Sequence, residues 1–336
     1  MLLRKKIFKK KDNTVFLYSP NVRKLLANVS YKILDKKPKK IIAVTGTNGK
    51  SSVAEFYYQI MNLNSKKAAA IGTIGIKYDG KKKDLTNTTL DPIQLCAILK
   101  SFRKKKIEYV IMEASSHGLK QNRLDGLQFD VGIFTNLSHD HLDYHKSMKD
   151  YLKSKLYLFN HLIKKKGNII TDSNIPQKNI LKDISIKKSL NLSLIFDKKK
   201  GIKLISHKFL DEKQILKIEY KKKQYEIILN LIGKIQIKNV LMTILAANKS
   251  GLKFDKIISI IHKLKPVEGR LEKIGKIKNN SKVVLDYAHT PEALVSALQS
   301  IREQFPDKKV SLVFGCGGER DFKKRSVMGK IAEKYS

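Results

Sequence analysis

From Lys40 onward, short apolar runs bounded by polar loops alternate with stretches whose apolar residues recur every three or four positions. That alternation predicts βαβ units around a mostly parallel sheet. "KIIAVTG" (40–46) reads as a strand ending in a glycine turn, and Val53, Phe56, Tyr57, Ile60 and Met61 follow at helical spacing. The runs 109–115, 131–137 and 168–170 have the short apolar cores of strands buried on both faces. "ILKIEYKKKQYEIILNLIG" (215–233) reads as a hairpin turning at its lysines, with helices predicted over 237–251 and 253–265. Pro266 then breaks the chain, and "KVVLDYAHT" (282–290) and "VSLVFGCGG" (310–318) start a second strand-loop pattern. "GKIAEKYS" (329–336) is helical in pattern, with no capping signal and no closing strand. The predicted class is α/β: a central P-loop-type parallel sheet domain with flanking helices (38–265) and a partial C-terminal Rossmann-like domain (266–336), preceded by a short, basic, poorly periodic lead (1–37).

A chain of 336 residues can hold two or three cores. Lys and Arg outnumber Asp and Glu by 69 to 30, a net charge of +39 that raises nucleic acid, anionic membrane and anionic substrates as partners. Only 8 of the basic residues are arginines, and the lysines are scattered in short runs such as 81–83, 104–106 and 221–223. A solvated lysine surface fits that spread better than a nucleic-acid groove, which needs guanidinium clusters interleaved with aromatics. Cys96 and Cys316 are too few for a disulfide framework or a cysteine metal site, so a reducing cytoplasm is the expected location. The basic N-terminus is not followed by an apolar stretch of signal-peptide length, and no window reaches the length of a transmembrane helix.

The candidate chemistry starts at "AVTGTNGKSS" (43–52). The common P-loop would place a glycine at position 44, where this chain has Val44. A strand, Gly46-Thr47-Asn48-Gly49-Lys50-Ser51 and a helix nevertheless supply what a polyphosphate needs: open backbone N–H groups, a helix N-terminus, a cation and a hydroxyl able to ligate Mg²⁺. The plainer alternative is a glycine turn capped by Ser51. Glu113 falls at the C-terminal end of a buried strand, where an acid can hold the Mg²⁺ that bridges ATP phosphates, or can be a solvated cap. "HDHLDYH" (139–145) suggests a zinc nest, but Tyr144 interrupts the His-x-His-x-Asp-His spacing of zinc hydrolases.

"TGTNGKSS", "NTTLDP", "EASSHGL", "FTNLSHDHLDYH" with "YLKSKLYLF", "VEGRLE", "DYAHTP" and "FGCGGERD" occur here in the order found in the Mur ligases, and together resemble the branch that adds the third amino acid to a UDP-N-acetylmuramoyl dipeptide. The resemblance runs from about Ala43 to the end, and the last two motifs are its most specific part. It implies an ATP-dependent ligase of peptidoglycan precursor synthesis, working through an acyl phosphate. By matching motif positions, Thr45, Gly46, Thr47, Asn48, Gly49, Lys50 and Ser51 would bind the ATP phosphates. Ser51 and Glu113 would hold one Mg²⁺ and His141 a second, assisted by Lys155 as its carbamate. Lys50, Glu113, His141 and Lys155 form the implied catalytic set. Asn87, Thr88, Thr89, Ser115, Gln121 and Arg123 match positions that hold the UDP-muramoyl peptide. Asn239 matches an adenine-side residue, and Arg270, Asp286 and His289 an ATP-facing edge. Arg320 matches an arginine that grips the incoming amino acid, a task suited to its planar fork. That amino acid is expected to be meso-diaminopimelate rather than L-lysine, with no nucleic-acid partner and a monomeric protein.

Three departures stand out. Ser51-Ser52 replaces the commoner Thr-Thr, Ile235-Gln236 replaces Phe-Asn, and "DFKKRS" replaces a Lys-Gly-Lys-Arg-Pro run. The family's N-terminal uridine-binding domain is matched only by the short lead, and the chain stops before the Asp-Asn-Pro-Arg type stretch that selects the amino acid. The expectation is a fragment or shortened protein that binds nucleotide and ligates poorly. Two other readings stay open: a folylpolyglutamate synthase-like ligase of the same superfamily, and a lysine-rich P-loop ATPase that binds nucleic acid.

Overall fold

The computed structural model describes residues 8–11, 14–34, 37–316 and 323–336. The N-terminal part gives β1 (Phe8–Lys11), β2 (Thr14–Leu17) and α1 (Val22–Lys32). The central domain continues with β3 (Lys40–Thr45), α2 (Lys50–Leu63), β4 (Ala68–Gly72), β5 (Gly75–Tyr78), β6 (Lys81–Lys83), α3 (Pro92–Lys104), β7 (Tyr109–Glu113), α4 (Ser116–Lys120), β8 (Phe129–Phe134) and α5 (Met148–Tyr157). After a π turn come β9 (Ile163–Asp172), α6 (Lys178–Lys187), β10 (Asn191–Ile195), β11 (Gly201–Leu210), β12 (Lys213–Tyr220), β13 (Lys223–Leu229), α7 (Ile235–Lys249) and α8 (Phe254–Ile258). The C-terminal unit holds β14 (Glu272–Lys276), β15 (Lys282–Leu285), α9 (Pro291–Gln304) and α10 (Lys323–Tyr335).

One sheet of eleven strands runs in the order β13-β12-β11-β10-β9-β8-β3-β7-β4-β5-β6. Its centre, β11 through β4, is parallel, and each edge is finished by antiparallel strands. The period-2 alternation of β3 shows why the central strands read as unbroken apolar runs. Ile42 and Val44 pack under α2 and α7, while Ile41 and Ala43 pack under α1 and α3 on the other face. Phe56, Tyr57 and Ile60 of α2 are fully buried, each worth about 1.5–3 kcal/mol relative to exposure. α3 begins where the sequence signals it: Asp91 accepts from the Ile93 and Gln94 N–H groups, and Pro92 follows.

The β12–β13 hairpin turns at Lys221 and Lys222, as its sequence pattern predicts, with φ of 50° and 67° at those two residues. That is the primed geometry that matches strand twist. Two features were not legible. The lead contains α1, whose Ala27 and Tyr31 enter the central core, a docking that its own weak periodicity does not signal. The run 310–316 forms no strand among the described residues: Leu312 packs toward α9 and α10, but Val313 is 98% exposed and no neighbouring strand offers a ladder. The described part of the C-terminal unit is therefore a two-stranded antiparallel hairpin flanked by helices. No helix among the described residues is long and apolar enough to cross a membrane.

Candidate active site

The loop after β3 is shaped by two glycines that have no room for a side chain. Gly49 caps α2 with φ of +87°, and a Cβ there would stand 2.6 Å from Asn239 Oδ1; at Gly46 a Cβ would meet Thr135 Oγ1 at 1.9 Å. The loop is further tied to the segment after β8. Asn48 N–H donates to Asn136 Oδ1 at 2.9 Å, Thr135 Oγ1 donates to the Asn48 carbonyl at 2.6 Å, and the Ser138 N–H donates to Thr47 Oγ1 at 3.0 Å. Lys50 folds back over the loop, donating to the Gly46 and Thr47 carbonyls at 3.0 and 2.7 Å. Burial lowers its pKa and Arg270 adds to that, while Glu113 and Asp140 oppose it.

Glu113 ends β7 almost fully buried and accepts from the Thr73 N–H (2.9 Å) and hydroxyl (3.2 Å). Its backbone carbonyl accepts from Thr89 Oγ1 at 2.8 Å, and Thr88 bonds Thr73 through its hydroxyl at 3.0 Å. Ser115 caps α4 by accepting from the Gly118 N–H. Arg123 donates to the Thr89 carbonyl at 2.5 Å and to Gln121 Oε1 at 3.0 Å, and Gln121 donates to the Tyr144 hydroxyl at 3.1 Å. Asn87 is exposed.

His141 sits at φ of +54° beside Asp140, with its ring edge-on to His117 at 4.9 Å. Burial lowers the His141 pKa, Asp140 opposes that, and Lys50 and Lys155 reinforce it. Lys155 is 1% exposed, donates to the Gly46 carbonyl at 2.7 Å and lies over the Tyr151 ring at 4.2 Å. Its pKa falls well below the usual lysine value, through burial first and then the neighbouring Lys50. His145 is fully buried, with Nε2 at 3.0 Å from Ser116 Oγ, while its Nδ1 stands 3.6 Å from Asp150, too far for a hydrogen bond.

The opposite wall comes from α7 and the C-terminal unit. Asn239 donates to Gln236 Oε1 at 3.0 Å, and Gln236 donates to the Arg270 carbonyl at 3.1 Å. Arg270 stacks over Tyr287 at 4.6 Å. Asp286 accepts from the Leu271 and Ala288 N–H groups, both at 2.8 Å; burial raises its pKa against the pull of those donors and Arg270. Residues 47–51, Thr88, Glu113, Ser115, His141, Lys155, Asn239, Arg270, Asp286 and His289 all line one cleft with a cavity volume of about 250 Å³. Thr45 and Gly46 lie at the base of the loop; Asn87, Thr89, Gln121 and Arg123 do not line the cleft, though the last three are bonded to its Glu113 side. Arg320 lies outside the described residues. Asn239 also borders a second cavity of about 630 Å³ between α7 and α9, edged by Phe196, Leu204 and Met242.

Sequence reasoning missed Asp140, Tyr151 and Gln236. Asp140 carried the signal of its acidic neighbourhood, but Tyr151 and Gln236 matter only through folded neighbours. Tyr151 bonds Thr47 at 3.2 Å, and Gln236, where the motif departs from Phe-Asn, links the two walls. Among the described residues no three His, Cys, Asp or Glu side chains gather as a metal cage. The oxygens of Ser51 and Glu113 do suit a hard cation that keeps water and phosphate ligands, as Mg²⁺ does.

A largely parallel sheet, a glycine phosphate loop at a strand end, and a second unit facing that loop define an α/β protein of the nucleotide-binding class. Residues 44–247 match the Mur ligase middle domain, and 269–336 match the Mur ligase glutamate ligase domain. The chain belongs to the Mur ligase family. It is 39% identical over 325 residues to the "UDP-N-acetylmuramoyl-L-alanyl-D-glutamate--2,6-diaminopimelate ligase" of Rickettsia montanensis, covering 95% of this chain and 66% of that protein. A ligase of the same name from Chelativorans sp. is 37% identical over 318 residues, covering 94% and 65%. A solved structure of that name, 26% identical, superposes with a TM-score of 0.76 over 95% of this chain and 65% of the other. The "FPGS-AMPPCP-folate complex" reaches a TM-score of 0.74 at 15% identity, a likeness of fold alone. The chain spans just under two thirds of the length of the curated relatives it matches.

Proposed function

We propose that this chain forms the ATP-binding and acyl-transfer core of a ligase joining meso-diaminopimelate, rather than L-lysine, to the D-glutamate carboxylate of UDP-N-acetylmuramoyl-L-alanyl-D-glutamate. The protein is read as cytoplasmic and monomeric, without a nucleic-acid partner. The observation that carries the reading is the convergence in one cleft of the phosphate loop, Glu113, His141 and Lys155 with Arg270, Asp286 and His289 of the second unit. The names of the relatives support the substrate and the amino acid.

A carboxylate and the γ-phosphate, both anionic, must meet in the first step. Lys50, whose ammonium now rests on the loop's own carbonyls, and Arg270 across the cleft are the cations available to screen that repulsion. The carboxylate oxygen attacks phosphorus and ADP leaves; the amine then attacks the acyl carbon, phosphate departs and the amine's proton passes to solvent. Ser51 and Glu113 would hold one Mg²⁺, and His141 and a carbamylated Lys155 a second. Bound there, the two ions would supply further neutralisation of phosphate charge. Burial, with Lys50 beside it, lowers the Lys155 pKa and so favours the unprotonated amine, the form that adds CO₂ and loses a proton to become a carbamate. Thr88, Thr89 and Ser115, with Asn87, Gln121 and Arg123 near them, are assigned to the muramoyl peptide, and the cavity beyond Asn239, where Phe196, Leu204 and Met242 face polar side chains, suits a nucleotide base.

The test is phosphate release from ATP in the presence of the UDP-muramoyl dipeptide, with diaminopimelate or lysine added in turn. Release that depends on the dipeptide and rises with diaminopimelate is expected. Release indifferent to the muramoyl substrate, or stimulated by DNA with a steep salt dependence, overturns the reading.

A further inference from the structure

The C-terminal unit contributes Arg270, Asp286 and His289 to the cleft, so something must fix its orientation on the central domain. Beside the cleft Gln236 already bonds the Arg270 carbonyl, and a second set of contacts lies at the far end of α9. Gln304, the last residue of that helix, is 4% exposed and spans the two units. Its Nε2 donates to the Asp211 carbonyl in the β11–β12 turn at 2.8 Å, and its Oε1 accepts from the Gly233 N–H at 2.7 Å. The Gly233 carbonyl in turn accepts from Gln214 Nε2 at 3.1 Å, so both polar groups of this buried glycine are held by glutamine amides, one from each unit. Gly233 has φ of +91°, and a Cβ there would stand 2.4 Å from Leu271 Cδ1 and 3.0 Å from Ser300 Cβ. The C-terminal unit therefore seats directly on bare backbone.

Around this contact the chain spends two of its scarce acids. Glu212 pairs with Lys273, and Asp211 and Glu212 pair with Lys282 at 2.5 and 3.2 Å. These pairs are partly exposed and individually weak. The buried amide is different in kind, because losing it strands the Gly233 N–H away from water.

We propose that Gln304 is a positioning residue: its amide, docked on Gly233 and Asp211, is the joint that holds the C-terminal unit over the cleft in the absence of nucleotide. From Gln304 to Ala293, which lines the cleft, α9 runs eleven residues, or roughly 16 Å. A rotation of about 10° at the joint would shift that end of α9 by about 3 Å, enough to reshape the part of the cleft wall that Ala293 forms. This rests on the nucleotide reading of the cleft only for its functional consequence.

The test replaces Cys96 and Cys316 by serine and places spin labels at Ile186→Cys on α6 and Val327→Cys on α10, both exposed positions. Without nucleotide, the full chain should give one narrow inter-label distance. Gln304→Met, similar in length but without the hydrogen bonds, should broaden the distribution toward longer distances, weaken binding of a non-hydrolysable ATP analogue about tenfold, and recover the narrow distance when the analogue is saturating. Should Gln304→Met fold poorly, Lys273→Gln with Lys282→Gln should give a smaller broadening that is insensitive to salt, whereas added salt should broaden the unsubstituted chain toward it. A distribution that stays narrow in both variants, or is already broad in the unsubstituted chain, overturns the joint. Broadening in a chain that binds no ATP analogue at all upholds the joint and overturns the nucleotide reading.

Discussion

Substituting Gly49 by alanine tests whether the phosphate loop was shaped around Asn239. The change carries two costs. At φ of +87° an L-residue is held in left-handed space, worth about 1–2 kcal/mol. The new Cβ would also lie 2.6 Å from Asn239 Oδ1, so the amide must move and give up its 3.0 Å bond to the buried Gln236, worth about 1–3 kcal/mol once a partner is stranded. The sum is about 2–5 kcal/mol, and at about 2–4 °C per kcal/mol for a domain of this size Tm should fall by at least about 4 °C. A double-mutant cycle separates the two costs. Asn239→Ala removes the obstacle but not the dihedral strain, so Gly49→Ala in that background should cost only the backbone part, leaving a coupling of about 1–3 kcal/mol in urea unfolding. If the two substitutions add to within about 0.5 kcal/mol, Asn239 is not what the glycine makes room for, and the reasoning fails.

Burial, reinforced by His141 and His145, lowers the pKa of His117 to about 4. The unfolded chain takes up that proton first, so the stability this ring contributes is present above about pH 6.5 and is lost as pH falls toward about 4. Urea unfolding of the nucleotide-free protein at pH 7.5 and 5 should show a loss that His117→Gln reduces, the remainder coming from other buried rings such as His141; an equal loss in the variant refutes it. Lys155→Met should leave Tm unchanged or higher, since an apolar chain of similar length replaces a buried amine, while substrate-dependent phosphate release falls at least about 100-fold. Partial recovery with a short-chain carboxylic acid, and none with an amine, is expected if a carbamate is the working form. Replacing Lys221-Lys222 by Asn-Gly should raise the stability measured by urea unfolding by about 1 kcal/mol, because both positions are left-handed; no gain would mean that the hairpin is fixed by its strands alone.

Much of the central domain was legible because local rules and tertiary needs agree there. Strands β3, β7 and β8 are buried on both faces and so are mainly apolar between their ends, a signal that needs no partner to be read. Asp91-Pro92 and Thr290-Pro291 cap α3 and α9 with local signals of this kind, although neither helix is among those the sequence pattern predicted. The run 310–316 misled for the complementary reason: β-propensity is a preference for a pleated surface, and among the described residues this run pairs with no strand. Helix α1 escaped notice because what holds it is the core it meets, including Tyr31, whose hydroxyl donates to the Arg123 carbonyl at 2.9 Å.

The sequence by itself determined the chemistry available: a glycine turn followed by Lys50 and Ser51, Glu113 at the end of an apolar run, and Lys155 fourteen residues beyond His141. Those follow from residue type and short-range spacing, which the covalent chain carries. Tertiary structure decided what each group faces. It brought Lys50 and Lys155 onto one carbonyl, set Asn239 against Gly49, and carried Arg270 and Asp286 across from a separate unit through an amide at the other end of α9. Desolvation and charge repulsion depend on those distances, so the depressed amine of Lys155 belongs to the fold rather than to the motif.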